Sequence, residues 1–307
     1  MKIIRDLDAF QRHSYPVVTL GNFDGVHQGH RAILKCAIDR ARAAAGASYA
    51  LTFDPAPAKL LAPDRAPRLL LSTEDKLELL GSSGIDGVIL VNFTLELSQI
   101  PARTFVRDYL LGKIGAREVV VGHSMNFGHN REGNAALMVQ LGREMGFETT
   151  VVGPVKIGGI EVSSTKVREL VAAGDMRGAA DLLGRYHFLR GEVVHGRGRG
   201  RRIGFPTANL ESETECVPPD GVYAARVVLP DGAYGSIANI GMRPTFAETA
   251  RTIEAHIFDF NRDIYGQRIK IEMVERIRLE RKFESAEALR HQIALDLNRA
   301  REILATA

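Results

Sequence analysis

The chain has 307 residues, long for one ordinary domain and short for three, so two domains are expected. Its composition, 45% hydrophobic and 25% charged, excludes a chain that is disordered throughout, and 40 Lys and Arg against 37 Asp and Glu argues against a nucleic-acid partner recruited by bulk charge. Two cysteines, Cys36 and Cys216, make no disulfide framework and point to the cytoplasm, and no stretch has the length and apolarity of a signal peptide or a membrane span.

Short, β-branched, continuously apolar runs come first. They are Pro16–Leu20, Ser48–Phe53, Gly87–Val91, Glu118–Gly122 and Thr149–Val152, and they suit strands buried on both faces of a parallel sheet. Helical patterns separate them. One runs from Arg31 to Ala45, a second follows a cap at Ser72, and a third runs from a cap at Asn134 to a stop at Gly146. The alternation implies a doubly wound α/β domain, whose ligands bind at the carboxyl ends of the strands where strand order reverses. Next, Ser163 or Ser164 caps a helix stopping at Gly174, and Asp175 caps another, Met176 to Leu183, ended by Gly184. The remainder reads as strands: Phe188–Val194, Val222–Leu229, Gly235–Ile240, Thr252–Phe258 and Arg268–Ile277. Five or six strands in about 95 residues suggest a small antiparallel β-barrel. A last helix, Ser285 to Leu304, puts Leu289, Ile293 and Leu297 on one stripe. The expected domains are residues 1–184 and 185–307.

The loop after the first of these runs reads Gly21-Asn22-Phe23-Asp24-Gly25-Val26-His27-Gln28-Gly29-His30. Its glycines let the backbone approach a bulky ligand, and the helix it opens offers free N–H groups to an anion. His27 and His30, three apart, can face one side of the first turn and each donate to a phosphate oxygen. A His-x-x-His pair can also bind a metal, but no Cys or acidic cluster nearby completes such a site. The only Gly-Lys pair, Gly112-Lys113, is followed by Ile114, so the chain has no P-loop. Val162-Ser163-Ser164-Thr165-Lys166-Val167-Arg168 brings hydroxyls and two cations to another helix start, which suits a nucleotide as well as a solvated basic face.

These two segments resemble the nucleotidyltransferase module of prokaryotic bifunctional riboflavin kinase/FMN adenylyltransferases, the FAD synthetases, and the resemblance covers nearly the whole chain. It implies transfer of AMP from ATP to FMN, giving FAD and pyrophosphate, with Mg²⁺ bridging the phosphates. It places Gly21, Phe23, Gly25, Gly29, Ser164, Thr165 and Arg168 at ATP, and His27 and His30 at the reacting phosphates. Two loops depart from the family pattern. Phe53-Asp54-Pro55-Ala56-Pro57 has Ala56 where the family has His, and Gly122-His123-Ser124-Met125-Asn126-Phe127-Gly128 has Ser124 for an acid and Met125 for an aromatic. FAD formation is therefore expected to be slower than FMN formation, with His123 or Asn126 as substitutes for the missing groups. A chain that acts as a kinase alone is the alternative.

From Gly196 to Gly204, four arginines and four glycines stand within nine residues, and the run leads into Phe205-Pro206-Thr207-Ala208-Asn209. A flexible basic loop or an RNA-binding arm using Arg197, Arg199, Arg201 and Arg202 would fit the arginines. The small, rigid, polar tail suits a fixed ligand site better. Gly204 to Asn209 also matches the Gly-Phe-Pro-Thr-Ala-Asn mark of the same family's riboflavin kinase module. By that resemblance Gly204, Pro206, Thr207 and Asn209 bind ATP, Thr207 and Asn209 hold Mg²⁺ through oxygen, and Glu254 takes the riboflavin hydroxyl proton. Ala238 to Phe246, Asp263 to Gly266 and Arg281 to Ser285 match as well, as framework and as loops facing flavin or nucleotide.

Overall fold

Every residue of Pro16–Leu20 is buried, as its unbroken apolar run requires. The computed structural model describes all residues except Arg197, Arg199, Arg201, Arg202 and residues 245–248. Its strands in the first half are β1 (Lys2–Ile4), β2 (Pro16–Leu20), β3 (Ala47–Asp54), β4 (Gly87–Asn92), β5 (Glu118–Gly122), the short pair β6 (Asn126–Phe127) and β7 (Gly133–Asn134), then β8 (Glu148–Val152) and the pair β9 (Lys156–Ile157) and β10 (Ile160–Glu161). Six of them form one sheet in the order β1-β4-β3-β2-β5-β8, with every pairing parallel. From β2 the chain moves outward through β3 and β4, then returns to the far side of β2 at β5. The strand order reverses between β2 and β5, which puts the turn after β2 where an open α/β sheet binds its ligand.

Both faces of the sheet are covered. Val18, Leu20, Val119 and Val121 pack on one side with Val106, Leu110, Met138 and Leu141. Val17 and Val120 pack on the other with Ala37 and Ala41 of α1 (Gln28–Ala43). The five expected strands are present. β1 is a sixth that the sequence did not announce, since Lys2 and Ile3 are exposed and only Ile4 is buried, so no apolar run marks this edge strand. The expected caps are in place: Ser72 accepts from the Asp75 N–H at 3.1 Å, Asn134 from Leu137 at 2.9 Å and Asp175 from Gly178 at 2.9 Å.

The compact units are Met1–Ser164 and Thr165–Ala307. In the second, helix Met176–Leu183 packs against β11 (His187–Val194) and β16 (Arg268–Arg278). With β12 (Ala208–Ser212), β13 (Gly221–Leu229), β14 (Gly232–Pro244) and β15 (Thr249–Ile257), these strands close a barrel in the order β11-β12-β15-β14-β13-β16. Its closing strand, β12, was not among the expected ones. It is short, largely half-exposed and preceded by Pro206. The last helix, Ala286–Ala305, lays Ala300 and Ile303 on Val222, Ala224, Ile237 and Val274. Ile293 and Leu297 join this contact, whereas Leu289 is half-exposed, so the apolar stripe lies further along the helix than expected. Asp296 sits on the same buried face and is held by Arg278 at 2.8 Å.

His187 is 2% exposed and donates from Nε2 to the Cys216 carbonyl at 2.8 Å. Burial pushes its pKa down to about 4, opposed by that hydrogen bond and aided by Arg185. The native barrel thus keeps His187 neutral while the unfolded chain protonates it below the ordinary value of 6.5. This contribution is complete above pH 6.5 and is lost as the pH falls toward 4. At ~1.4 kcal/mol per pKa unit, roughly 2–3 kcal/mol should disappear between pH 7 and pH 4.5. Denaturant melts at both pH values should show a smaller acid loss for His187→Gln, which keeps a donor for Cys216, than for the natural chain.

Candidate active sites

The turn after β2 is held to its surroundings at several points. The Gly21 N–H donates to the Leu51 carbonyl at 3.1 Å, and the Thr52 hydroxyl reaches the Asn22 carbonyl at 3.3 Å. Phe23 and Val26, each 1% exposed, anchor the turn in the core with positive φ of 49° and 40°. Gly25 lies between them at φ 85°, a conformation that costs glycine little. The Asp24 carboxylate accepts from the Leu70 N–H at 3.0 Å, and its carbonyl accepts from the Ser164 hydroxyl at 2.8 Å.

His27 caps α1. Its Nδ1 accepts from the His30 N–H at 3.2 Å, so the proton of the neutral ring lies on Nε2. The His30 ring stacks on that of His27 at 3.6 Å and 14°, and Phe23 meets its edge at 5.2 Å. A side chain at Gly29 would stand 3.2 Å from the His27 ring, so glycine leaves the ring its place. Burial, aided by the repulsion a protonated His27 would exert, lowers the His30 pKa well below its ordinary value. Its Nδ1 is buried with no hydrogen-bond partner among the described residues, a feature that calls for a functional explanation. The N–H groups of Gln28 and Gly29 open the helix without intrahelical acceptors. Stacked imidazoles, one with a defined Nε2–H, thus stand beside the free N–H groups of a helix N-terminus, donors of the kind an anion accepts. Thr165 is exposed and Arg168 half-buried on helix Ser164–Ala173, and both fall in the second compact unit.

The loops after β3 and β5 share this carboxyl edge, because both strands flank β2. Ala56 precedes the short helix Pro57–Leu61. His123 pairs with Glu161 at 3.0 Å, and Asn126 donates to the Ser124 carbonyl at 3.0 Å. One charged residue here escaped the sequence reading. Lys76 is 7% exposed and donates to the Phe53 carbonyl at 3.0 Å. Burial lowers its pKa, while Asp54 and Asp24 oppose that shift. Its only sequence signal is a lysine inside an amphipathic helix, which ordinarily means an exposed face. A depression of about 610 Å³ lined by Tyr15, Arg117 and Phe147 lies at the opposite, amino edge of the sheet, away from these loops.

In the barrel, topology brings distant motif residues together. Asn209 on β12 is the register partner of Glu254 on β15, and the Thr207 hydroxyl donates to Glu254 Oε2 at 3.2 Å. Ile253 and Ala255 are buried while Glu254 is not, which is the expected alternation. The Pro206 carbonyl accepts from His256 Nδ1 at 2.7 Å, and the Phe205 ring meets the His256 ring edge-on at 5.6 Å. Phe205 to Thr207 is therefore fastened along β15. His256 went unnoticed in the sequence because a lone His in a strand carries no signal. A Cβ on Gly196 would come within 2.3 Å of the Asn209 amide, so that glycine makes room for Asn209. Gly204 has φ 90° in the turn where Phe205 N–H reaches the Gly200 carbonyl at 2.9 Å. Arg197, Arg199, Arg201 and Arg202, on which an RNA-binding reading would rest, lie outside the described residues, as do Thr245 and Phe246.

A parallel sheet with a glycine-rich turn and a helix N-terminus at its reversal point, joined in one chain to a barrel bearing clustered Thr, Asn and Glu oxygens, defines a two-module enzyme of nucleotide chemistry. The FAD synthetase family model matches residues 9–166, and the riboflavin kinase family model matches residues 183–304. The chain is 37% identical to the bifunctional riboflavin kinase/FMN adenylyltransferase of Escherichia coli (strain K12), over 98% of this chain and 97% of that one. It is 35% identical to the protein of that name from Pseudomonas fluorescens, over 99% and 98%. A crystal structure titled as a macrolide-efflux protein from Streptococcus pneumoniae matches with TM-score 0.88 and 31% identity, covering 97% of this chain and 98% of that one. The chain belongs to the bifunctional riboflavin kinase/FMN adenylyltransferase family. Both modules are matched, and nothing supports the alternative of a kinase alone. No helix among the described residues is long and apolar enough to cross a membrane.

Proposed function

We propose that this chain phosphorylates riboflavin to FMN with ATP and then adenylylates FMN to FAD with a second ATP, in the cytoplasm. The observation that carries the first step is the meeting of Asn209 and Glu254 on neighbouring barrel strands with Thr207, just before β12. Glu254 accepts the proton of the riboflavin hydroxyl as its oxygen attacks the γ-phosphorus, and ADP leaves. The donor set here is all oxygen, which suits a hard divalent cation. Mg²⁺ would be held by Thr207 and Asn209, and when bound it neutralises phosphate charge.

In the second step an FMN phosphate oxygen attacks the α-phosphorus of ATP and pyrophosphate leaves. The nucleophile is already an anion, so alignment and charge neutralisation are the main tasks. His27 donates from Nε2, α1 offers its first N–H groups, and neutral His30 supports the His27 ring. Gly21, Phe23, Gly25 and Gly29 shape the turn, and Ser164, Thr165 and Arg168 are assigned to the nucleotide by their motif. Ala56 and Ser124 remove groups at this carboxyl edge, which should slow turnover more than binding. Incubation with riboflavin, ATP and Mg²⁺, with flavins separated over time, should show FMN accumulating before FAD. Absence of FMN would refute the first step, and absence of FAD from added FMN the second.

The kinase module is placed at residues 185–307 and the adenylyltransferase at 1–184. A fragment starting at Gly184 keeps Thr207, Asn209 and Glu254 and should phosphorylate riboflavin. A fragment starting at Thr165 also keeps Met176, Ala179, Leu182 and Leu183, which are buried, and should melt at a higher temperature. An unfolded shorter fragment beside a folded longer one would move the boundary to Thr165.

A further inference from the structure

The register that pairs Glu254 with Asn209 on one side pairs it with Asn239 of β14 on the other. Paired residues on adjacent strands point to one face with Cβ atoms about 5 Å apart, so Asn209, Glu254 and Asn239 form a polar row across three strands. The row continues to Val222 of β13 and Arg278 of β16. There the C-terminal helix covers it, through Ala300 and Ile303 near Val222 and through Asp296 on Arg278. The part of the row beyond this helix is the part that carries Glu254.

Asn239 lies between Ala238 and Ile240, both 0% exposed, and is itself half-buried. Asn is disfavoured in strands, and among the described residues the Asn239 side chain has no hydrogen-bond partner, so neither propensity nor packing explains it. Glu254 does have a donor, Thr207, at Oε2. Thr207 is also the residue assigned to the metal and the phosphates, and turning its hydroxyl to them weakens its hold on the carboxylate.

We propose that Asn239 is a positioning residue for the kinase reaction, its amide donating to the Glu254 carboxylate and keeping it aimed at the riboflavin hydroxyl while Thr207 serves the nucleotide. The inference rests on Glu254 being the base. Among the described residues, the titratable groups that the register sets on this face include His256 on β15, Glu211 on β12, its partner Glu192 on β11 and Arg226 on β13, and Glu280 approaches Gly241 of β14.

The test uses the full chain, with riboflavin phosphorylation and FMN adenylylation assayed separately. Asn239→Leu removes the amide at similar volume. Loss of a hydrogen bond to a charged group should lower kcat roughly 10- to 100-fold, with KM for ATP and riboflavin little changed. Asn239→Gln keeps an amide donor and should recover much of the kcat that Asn239→Leu loses, with KM again little changed, a recovery that a purely structural role would not produce. Unchanged FAD formation from FMN verifies that the rest of the chain is intact, and if Asn239→Leu fails to fold, Asn239→Ala takes its place. Wild-type kcat in the folded variants that lack the amide, with Glu254→Gln inactive, would overturn the role of Asn239 alone. An active Glu254→Gln would overturn both.

Discussion

Glu254→Gln is expected to abolish FMN formation while FAD formation from supplied FMN continues. Gln keeps the length of the side chain and an oxygen that can accept from the Thr207 hydroxyl, now at 3.2 Å from Glu254 Oε2. It keeps its place between buried Ile253 and Ala255, so the barrel should melt as before. What it loses is the capacity to take a proton. A positioned general base contributes about 10²–10⁴-fold, so the remaining rate should fall by that factor with ATP affinity near normal. Two assays on one preparation decide the matter, riboflavin to FMN and FMN to FAD. Near-normal riboflavin phosphorylation would remove Glu254 from the mechanism. Loss of both activities would mean that the substitution acts through folding.

What the sequence made legible follows from the range of the interactions concerned. β2 and β5 were readable to the residue because continuous burial leaves an unbroken apolar run. That His27 and His30 share one side of the first turn was readable because a spacing of three on one helical turn is a local relation; their stacking is seen only in the structure. The caps at Ser72, Asn134 and Asp175 are local in the same way. β1 and β12 were not readable, since one is an edge strand with a single buried residue and the other is largely half-exposed. The partners of Glu254 were hidden for a different reason. Asn209 and Asn239 lie far from it in the chain, and only the order β12-β15-β14 sets all three in one row. Lys76 and His256 are single polar residues whose neighbours come from other elements, so they had no pattern to announce them.

The observed and the proposed role of His27 can be separated by substitution. As the cap of α1 its Nδ1 accepts from the His30 N–H; in the proposed role of phosphate ligand its Nε2–H would donate. His27→Ala removes both. It should cost about 1 kcal/mol of stability in the first unit, as cap losses do, and about 10²–10³ in the rate of FAD formation, as loss of a donor to a developing charge does. His27→Asn restores a side-chain oxygen able to accept from the His30 N–H, because Asn is among the preferred caps, but it does not return the ring donor or the surface on which His30 stacks. Thermal melts of the Asn variant should therefore resemble those of the natural chain, while its FAD formation stays as low as that of the Ala variant. Riboflavin phosphorylation by the barrel should be the same in both. Recovery of FAD formation along with stability in His27→Asn would show that His27 matters as a cap and not as a phosphate donor, and the anion site would then rest on the helix N–H groups and the glycine-rich turn alone.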